Sequence, residues 1–395
     1  MNKPSKIVLK SGKENSLKRF HPWVFSGAIK TIFGKPEEGD LIEVYSNQDE
    51  YLASGHFQPG SISVRVLSFL KEDINDLFWQ KRILAAWELR DKLGLANNQE
   101  TNVFRLINGE GDLLPGLIVD YYNGTVVMQA HSVGMYYQRA KIASMLKEVL
   151  GDRLHCVYNK SETSLPFKAN INSKGEYLFG KPVNNDVLEY GNTFRIDWEE
   201  GQKTGFYIDQ RENRKLMGEY SKGRGVLNMF CYTGGFSVYA LKYGAELVHS
   251  VDSSKKAIDL TNTNVNFNFP SEKRHTAFAM DAFEFFNQSE HVYDLIVLDP
   301  PAFAKHQNAL NNALQGYKKL NRRAIEIIKP GGIIFTFSCS QAVSRENFRK
   351  SVFTAAANTG RNVRILHQLN QPADHPISIY HPEGEYLKGL VLEVE

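Results

Sequence analysis

From about residue 222 onward, short apolar runs alternate with amphipathic segments of helical spacing. Predicted helices such as 254–267 and 308–328 separate the strand candidates. Those candidates are 225–230, 246–252, 275–280, 293–299 and 331–338. Strands that alternate with helices in this way build a mostly parallel sheet covered on both faces. The pattern therefore predicts an α/β, doubly wound domain, to which 362–370 and 386–394 add an antiparallel edge.

Residues 1–72 show a different pattern, in which short strand-like runs are separated by turn sequences such as GKPEEGD. Helical periodicity is weak there, which predicts a small β-barrel. Residues 73–190 combine a long polar helix, a hairpin region at 104–130 and a second helix near 134–150. We therefore expect three domains: the β-barrel at 1–72, an α+β linking domain at 73–190, and the α/β domain at 191–395.

Composition indicates the setting of the protein more than its chemistry. Of the 395 residues, 42% are hydrophobic and 23% are charged, which is typical of a globular protein. The three cysteines, Cys156, Cys231 and Cys339, match no zinc-ligand spacing and cannot all pair, which indicates a reducing, cytoplasmic compartment. No apolar run reaches membrane-spanning length, and the net charge of +3 permits nucleic-acid binding without requiring it. A homodimer is compatible with these properties.

The turn after the first strand of the α/β domain carries two adjacent glycines. Ligands of a doubly wound sheet bind beyond the carboxyl ends of its strands, and glycine lets a ligand approach the backbone closely. The turn lacks the G-x-G-x-x-G pattern, which disfavours a dinucleotide site, and a tight turn needs glycine in any case. The candidate cofactor-binding residues of this turn are Tyr232, Thr233, Gly234 and Gly235.

Acidic residues stand at the ends of the next two predicted strands. Asp252 lies about 20 residues beyond the glycine turn, the spacing at which a carboxylate binds a ribose diol. Asp281 is placed to meet an adenine amino group, with Ala282 and Phe283 beside the base. Either aspartate alone could be a helix N-cap. The succession of a glycine turn and two acids at three strand ends favours a nucleoside site.

The fourth and fifth strands bring the candidate reactive groups. The fourth ends in Asp299, Pro300 and Pro301, and two prolines fix the backbone so that the carboxylate can bind the amino group and ring nitrogen of a heterocycle. The fifth ends in Ser-Cys-Ser, with Cys339 shortly before a helix predicted near 344, where a thiolate is favoured. Although a buried cysteine is usually a small core residue, this placement favours a nucleophile.

Basic and aromatic residues cluster early in the sequence. Lys18 and Arg19 stand beside Phe20, Trp23 and Phe25. This combination suits phosphates and unstacked bases. The basic residues could equally be an ordinary solvated surface, and we interpret Trp23 and Phe25 as core residues of the β-barrel.

Together these segments resemble the class I S-adenosylmethionine-dependent RNA methyltransferases, and most closely the bacterial 23S ribosomal RNA cytosine-5 methyltransferase family. The resemblance covers essentially the whole chain, and the set of motifs is far more specific than any one of them. KRFHPWVFSGAI and SISVRVLSF are similar to a PUA RNA-binding domain, and RLINGEGDLLPGLIVDYY is similar to the central domain of the family. The catalytic-domain motifs are GQKTGFYIDQRENR, VLNMFCYTGGFSV, VLDPPAFAK, FTFSCS and ADHP…EGEYLKG.

The resemblance implies a fold, a cofactor and residue roles. The fold would be a seven-stranded, mostly parallel Rossmann-like sheet, preceded by a PUA β-barrel that binds RNA and a central α+β domain. S-adenosylmethionine would be the cofactor, with Gln210 and Arg211 near its methionine end. The residues implied to hold its other parts are Gly234, Gly235, Asp252 and Asp281, with Asp299 nearby.

In the implied reaction, Cys339 adds to carbon 6 of an unpaired cytosine while Asp299 orients the base. The candidate RNA-binding residues are Pro300, Pro301, Phe303, Lys305, Lys18 and Arg19. Many RNA cytosine-5 methyltransferases have a second cysteine in the fourth-strand motif, whereas the motif here, DPPAF, has no thiol, an absence that the ribosomal family shares. The identity of the base that removes the carbon-5 proton therefore stays open. Lys305 could assist this step, but only its position in the motif suggests so.

Two other functions compete with this interpretation. The first is methylation of an exocyclic amine, on guanine N2 or adenine N6, which would use an aromatic residue directly after the prolines. Ala302 holds that place, and Ser-Cys-Ser would have no purpose. The second is a non-catalytic RNA-binding scaffold, which the retained acids and Cys339 disfavour.

Overall fold

The computed structural model describes residues 5–166, 171, 173–288, 291–304 and 307–395. The chain divides into two compact units. The first unit comprises 1–187, 196–206 and 373–384, and the second comprises 188–195, 207–372 and 385–395. Among the described residues, no helix is both long and apolar enough to cross a membrane. The domain boundaries expected near 72 and 190 stay predictions.

The N-terminal part of the first unit is a strongly curled sheet, in agreement with the predicted β-barrel. Its elements are β1 (Lys6–Leu9), α1 (Asn15–Lys18), β2 (Trp23–Phe25), β3 (Ile29–Phe33), β4 (Leu41–Tyr45), β5 (Tyr51–Phe57) and β6 (Ile62–Ser68). The strand order is β2-β6-β5-β4-β1-β3. Ile7, Leu9, Ile42 and Val44 form part of its core, because alternate residues of a strand face the same side.

Strand β2 corrects one interpretation made from the sequence. Phe25 is 43% exposed, so its assignment to the core is wrong. Val24 is the buried residue of β2, and its two neighbours in the strand therefore face the other side. Trp23 is half-buried, and its indole Nε1 donates to Glu110 Oε1 at 2.8 Å.

The rest of the first unit is a mixed sheet with helices packed on it. The elements are α2 (Asp76–Lys92), β7 (Val103–Asn108), β8 (Leu117–Tyr122), β9 (Thr125–Ala130), α3 (Val133–Tyr137), α4 (Arg139–Leu150), β10 (Cys156–Asn159) and β11 (Glu176–Gly180). The strand order is β11-β10-β9-β8-β7. Trp79 and Ile83 of α2 share one buried cluster with Phe104 of β7 and Leu146 of α4, as expected of an α+β arrangement.

The second unit contains the predicted alternation of strands and helices. After the hairpin of β12 (Asp186–Glu189) and β13 (Asn192–Arg195), its elements are α5 (Arg211–Glu219), β14 (Gly225–Met229), α6 (Gly235–Lys242), β15 (Leu247–Asp252), α7 (Lys255–Asn268), β16 (His275–Ala279), α8 (Ala282–Gln288), β17 (Leu295–Leu298), α9 (Leu310–Ile327), β18 (Gly332–Ser338), α10 (Arg345–Ala357), β19 (Val363–Leu369) and β20 (Lys388–Val394).

The sheet of this unit confirms the predicted fold. Its seven described strands have the order β16-β15-β14-β17-β18-β20-β19. The strands from β14 to β18 are parallel, and β20 pairs antiparallel with both β18 and β19. The order reverses between β14 and β17, so the carboxyl ends of these strands form the crevice in which doubly wound sheets bind ligands.

Candidate active site

The glycine turn after β14 is strained and firmly held. Phe230, Tyr232 and Gly234 all have left-handed backbones, with φ of 61°, 46° and 75°. The Tyr232 carbonyl accepts from Thr261 Oγ1 at 2.9 Å, and the Thr233 carbonyl accepts from Asn264 Nδ2. A Cβ on Gly234 would lie 2.7 Å from Thr261 Cγ2, so this position requires glycine for space as well as for conformation. Strain of this kind is typical of ligand sites.

Asp252 ends β15 and is half-buried next to this turn. Its Oδ2 accepts from the Tyr232 backbone N at 3.1 Å, and its Oδ1 accepts from the Ser254 backbone N at 2.9 Å. The N-cap of α7 is Ser254, whose hydroxyl accepts from the Ala257 backbone N. Asp252 therefore connects the glycine turn to the start of α7 without being the helix cap that its sequence also allowed.

Asp281 follows β16 and is exposed. Its Oδ1 accepts from the backbone N of Phe283 at 2.8 Å and of Glu284 at 3.2 Å, so it does close the first turn of α8. Phe283 is 41% exposed and Ala282 is buried. Because a carboxylate has about four acceptor sites, neither Asp281 nor Asp252 is saturated by these bonds. Both can still accept from ligand hydroxyl or amino groups.

The two serines on either side of Cys339 explain why this cysteine is partly exposed while its neighbours are buried. Ser338 and Ser340 are fully buried, and both hydroxyls contact the Tyr317 phenol of α9. Ser338 Oγ donates to Tyr317 Oη at 2.9 Å, and Ser340 Oγ lies 3.0 Å from the same oxygen. Cys339 lies between them and is only half-buried. The polar residues that interrupt the strand are therefore clamped inward, while the cysteine keeps solvent access.

The loop after β17 lies against this clamp. The Ala304 backbone N donates to Ser340 Oγ at 3.3 Å, and the Phe303 ring packs on Tyr317 with centroids 4.7 Å apart. β17 and β18 are neighbouring parallel strands with Leu298 opposite Thr336, so Asp299 and Cys339 leave the sheet at the same edge. The next two residues of the loop differ in exposure: Pro300 is buried and Pro301 is exposed. Lys305 lies outside the described residues.

Tyr207 is a further candidate site residue, one that was not predicted from the sequence. Burial raises the pKa of this phenol, and the nearby negative charges of Asp299, Asp209 and Cys339 raise it further. Its ring packs against that of Tyr232 in the glycine turn, with centroids 5.2 Å apart. A phenol that stays protonated beside these groups is a hydrogen-bond donor for an anion or a base oxygen. The only sequence signal was its position in the GFYIDQREN motif.

Gln210 and Arg211, predicted near the methionine end of the cofactor, are both buried at the start of α5. Gln210 Oε1 accepts from Asn213 Nδ2 at 2.6 Å, and Arg211 Nε donates to Glu212 Oε1 at 3.1 Å. The carboxylate of Asp209, just before them, accepts from the Tyr386 hydroxyl at 2.7 Å. These bonds fix the motif rigidly, and the cofactor contacts of Gln210 and Arg211 stay a prediction.

A buried ion pair between Arg214 and Glu189 holds the segment that carries Tyr207. Arg214 of α5 donates from Nε and Nη2 to the two carboxylate oxygens of Glu189 at 2.8 and 2.6 Å. Its Nη1 donates to the Tyr207 carbonyl at 2.9 Å, and a Cβ on Gly235 would lie 2.8 Å from its Cδ. Tyr239 of α6 also donates to Glu189. One ion pair therefore joins the β12–β13 hairpin, the segment carrying Tyr207 and the helix after the glycine turn.

Two predicted RNA-binding residues belong to the first unit. Lys18 ends α1, is exposed, and its Nζ donates to Glu50 Oε2 at 2.7 Å. Arg19 is also exposed, and the neighbouring ring of Phe20 is 49% exposed. A basic and aromatic surface is thus present, while its contact with RNA stays a prediction.

The groups at the strand ends of the second unit suit S-adenosylmethionine. Asp252 and Asp281 offer acceptors for hydroxyl and amino groups, and the strained turn offers close backbone approach. Asp209 and Asp299 add negative charge, which attracts a sulfonium cation. The donor set therefore fits the cofactor that the sequence motifs imply.

Comparison with known proteins gives the same picture. Residues 143–382 match the S-adenosylmethionine-dependent methyltransferase family, and residues 7–69 match the PUA-like domain family. Ribosomal RNA large subunit methyltransferase I of Aeromonas hydrophila is 39% identical over 395 residues, covering 98% of each chain. The protein of that name from Alteromonas mediterranea is 38% identical and covers 99% of each chain.

Solved structures agree in fold. A protein described as a SAM-dependent methyltransferase from Streptococcus mutans has a TM-score of 0.84 at 24% identity, covering 98% of this chain and all of its own. A methyltransferase solved in complex with SAH has a TM-score of 0.85, also at 24% identity and with the same coverage of both chains.

Proposed function

Because the chain belongs to the S-adenosylmethionine-dependent methyltransferases, and among them to the ribosomal RNA large subunit methyltransferase I family, we propose that it methylates carbon 5 of a cytosine in 23S ribosomal RNA. S-adenosylmethionine is its cofactor. The names of its relatives support large-subunit ribosomal RNA as the substrate. The observation that carries the carbon-5 assignment is the half-exposed thiol of Cys339, held between two inward-clamped serines at the edge where Asp299 leaves the sheet.

The proposed chemistry follows from what cytosine lacks. Carbon 5 of the neutral ring is too weak a nucleophile to take a methyl group from a sulfonium. Cys339, as the thiolate, forms a bond from Sγ to carbon 6, and the electron pair of the 5,6 double bond moves into the ring. Asp299, as the carboxylate, accepts hydrogen bonds from the amino group and from the ring nitrogen, after that nitrogen has taken up a proton from water. The protonated nitrogen then receives the electron pair as Sγ adds, and it returns its proton to water after the thiolate has left. Carbon 5 then has the electron density that alkylation requires.

The later steps restore the aromatic ring. The bound cofactor supplies an electrophilic methyl group on a sulfonium. After carbon 5 has been methylated, a base removes its proton, the electron pair re-forms the 5,6 double bond, and Cys339 leaves as the thiolate. Tyr207, protonated beside Asp299, can hydrogen-bond the base oxygen during both addition and elimination. The target cytosine must be unpaired or flipped out before Cys339 can reach it.

Trapping of the covalent intermediate tests this function. 23S ribosomal RNA transcribed with 5-fluorocytidine should become cross-linked to the wild-type protein when S-adenosylmethionine is present. Fluorine at carbon 5 cannot leave as a proton, so the elimination stops after methyl transfer. The adduct is measured as a band of reduced mobility on a denaturing gel, and its RNA-bound peptide is identified by mass spectrometry.

The matched controls are unsubstituted RNA and the Cys339→Ala variant, neither of which should form the adduct. If nucleoside mass spectrometry shows that a transcript is methylated but its fluorinated form gives no adduct, covalent catalysis is excluded. Methylated guanine N2 or adenine N6 in that assay would establish the exocyclic-amine alternative instead.

The role proposed for Asp252 gives a second measurement. Asp252→Asn removes a carboxylate that would accept from the ribose diol, and hydrogen bonds to charged groups contribute about 1.5–3 kcal/mol. We therefore expect the Kd for S-adenosylmethionine to rise roughly 10- to 100-fold in isothermal titration calorimetry. Asp259→Asn, an exposed residue of α7, is the matched control and should leave the Kd unchanged. An unchanged Kd for Asp252→Asn would remove this residue from the cofactor site.

A further inference from the structure

Lys388 is a buried cation next to the proposed nucleophile. It is the first residue of β20 and lies opposite Ser338 of β18, the residue before Cys339. Only 4% of Lys388 is exposed. In the sequence, Lys388 stands out only as a member of the EGEYLKG motif.

The ammonium of Lys388 holds the turn that follows Cys339. Its Nζ donates to the Ser340 carbonyl at 2.7 Å and to the Val343 carbonyl at 2.9 Å. The Val343 backbone N in turn donates to the Ser340 carbonyl at 3.2 Å, so both ends of one tight turn meet the same cation. The turn joins Cys339 to α10. Lys388 therefore fixes the backbone on one side of Cys339, as the Tyr317 clamp fixes its two flanking side chains.

The charge of Lys388 needs a partner, because a buried cation is costly unless an anion offsets it. Arg345 and Glu385 also lie near, but Arg345 forms an ion pair with Glu385, and their charges largely cancel. Burial lowers the pKa of Lys388 to about 8, while the negative charge of the Cys339 thiolate acts in the opposite direction. A negative charge on the Cys339 sulfur would therefore be offset by the Lys388 ammonium.

We propose that Lys388 is a positioning residue for Cys339, which fixes the turn after the nucleophile and stabilises its thiolate electrostatically. This inference rests on the proposed function for its meaning in catalysis. The lysine takes no part in bond formation. Its positive charge favours the sulfur anion before addition to carbon 6, and again when the thiolate is expelled after the carbon-5 proton has left.

Alkylation of Cys339 by iodoacetamide tests the proposal without RNA or cofactor. In this reaction the thiolate displaces iodide and forms a thioether, so the rate follows the fraction of thiolate. Mass spectrometry of the Cys339 peptide measures alkylation at this site alone. The other two cysteines should react slowly, because burial raises the pKa of Cys156 to about 11 and that of Cys231 to about 12. The rate measured from pH 5 to 10 gives the apparent pKa of Cys339.

We expect the wild-type pKa of Cys339 to lie below the ordinary thiol value of about 8.5. Lys388→Met keeps the length of the side chain but removes its charge, and should raise this pKa by about one unit or more. Alkylation at pH 7 then slows about tenfold. Lys388→Arg keeps a cation and should retain most of the low pKa. Lys329→Met, at the other end of β18 and in an exposed ion pair with Asp294, is the matched control and should change nothing.

A folded Lys388→Met protein with the wild-type pKa at Cys339 would overturn the proposal, even if its methylation activity were lost. If Lys388→Met does not fold, the wild-type profile decides, because a pKa at or above the ordinary thiol value also overturns it. The outcome is separable from the proposed function. Unimpaired methylation by Cys339→Ala would refute covalent catalysis while leaving the alkylation result as it stands.

Discussion

Replacing Cys339 by alanine is expected to abolish methyl transfer to RNA, with kcat lower by about 10⁴-fold or more, because in the proposed mechanism the Cys339 thiolate is the group that makes carbon 5 nucleophilic. The Kd for S-adenosylmethionine should hardly change, since most of the candidate cofactor residues lie on the glycine turn and the ends of β15 and β16. Methylation is measured by transfer of a labelled methyl group to 23S ribosomal RNA, and cofactor binding by calorimetry.

Cys156→Ala is the matched control for this experiment, because Cys156 is a buried thiol of β10 with no role in the proposed site. It should retain methylation. Cys339→Ser should be as inactive as Cys339→Ala, because a hydroxyl at neutral pH is a far weaker nucleophile than a thiolate. Turnover by Cys339→Ala at the wild-type rate would contradict the covalent mechanism.

The largest effect on stability is expected at the buried pair of Glu189 and Arg214, whose side chains are 0% and 3% exposed. Glu189→Gln keeps the shape of the side chain but leaves the Arg214 guanidinium without its anion. Removal of one partner of a buried ion pair costs about 3–5 kcal/mol. We expect the free energy of unfolding to fall by that amount, measured as a lower midpoint of urea denaturation with the slope compared between variants.

Two further variants separate the ion pair from general disruption. Glu189→Gln combined with Arg214→Met removes both charges and should recover part of the lost stability, because no uncompensated charge stays buried. Glu346→Gln breaks the exposed Lys350–Glu346 pair of α10 and should have little effect. If Glu189→Gln is no more destabilising than Glu346→Gln, the pair does not support the second unit as we infer.

The sequence predicted the sheet of the second unit because its strands are buried on both faces and each is followed by a helix. Each of the five parallel strands agrees with its prediction to within two residues at either end. Strands β2 and β3 have a weaker signal in the sequence, because β2 has only three residues and β3 lacks an alternating apolar pattern. Phe25 shows the same difficulty, since an aromatic residue in a three-residue strand gives no indication of the face it occupies.

The candidate site was predictable only where its residues stand directly at strand ends, as Asp252, Asp299 and Cys339 do. The residues that hold Cys339 in place come from distant parts of the chain. Tyr317 is a helical tyrosine and Lys388 begins an antiparallel strand, so each reads in the sequence as an ordinary residue. Their contacts with the Ser-Cys-Ser turn exist only because the sheet order brings α9 and β20 beside β18.

The pairing of β18 with β20 has a consequence for biosynthesis. Lys388 follows Ser340 by 48 residues, so the strand bearing the thiol leaves the ribosome well before its neighbour on that side. Until then the nascent chain carries an unpaired edge, which is prone to wrong associations. Pairing of β20 with β18 would also bring the Lys388 ammonium next to the turn that follows Cys339. If Lys388 stabilises the Cys339 thiolate as proposed, the thiol would become reactive only once β20 has paired with β18.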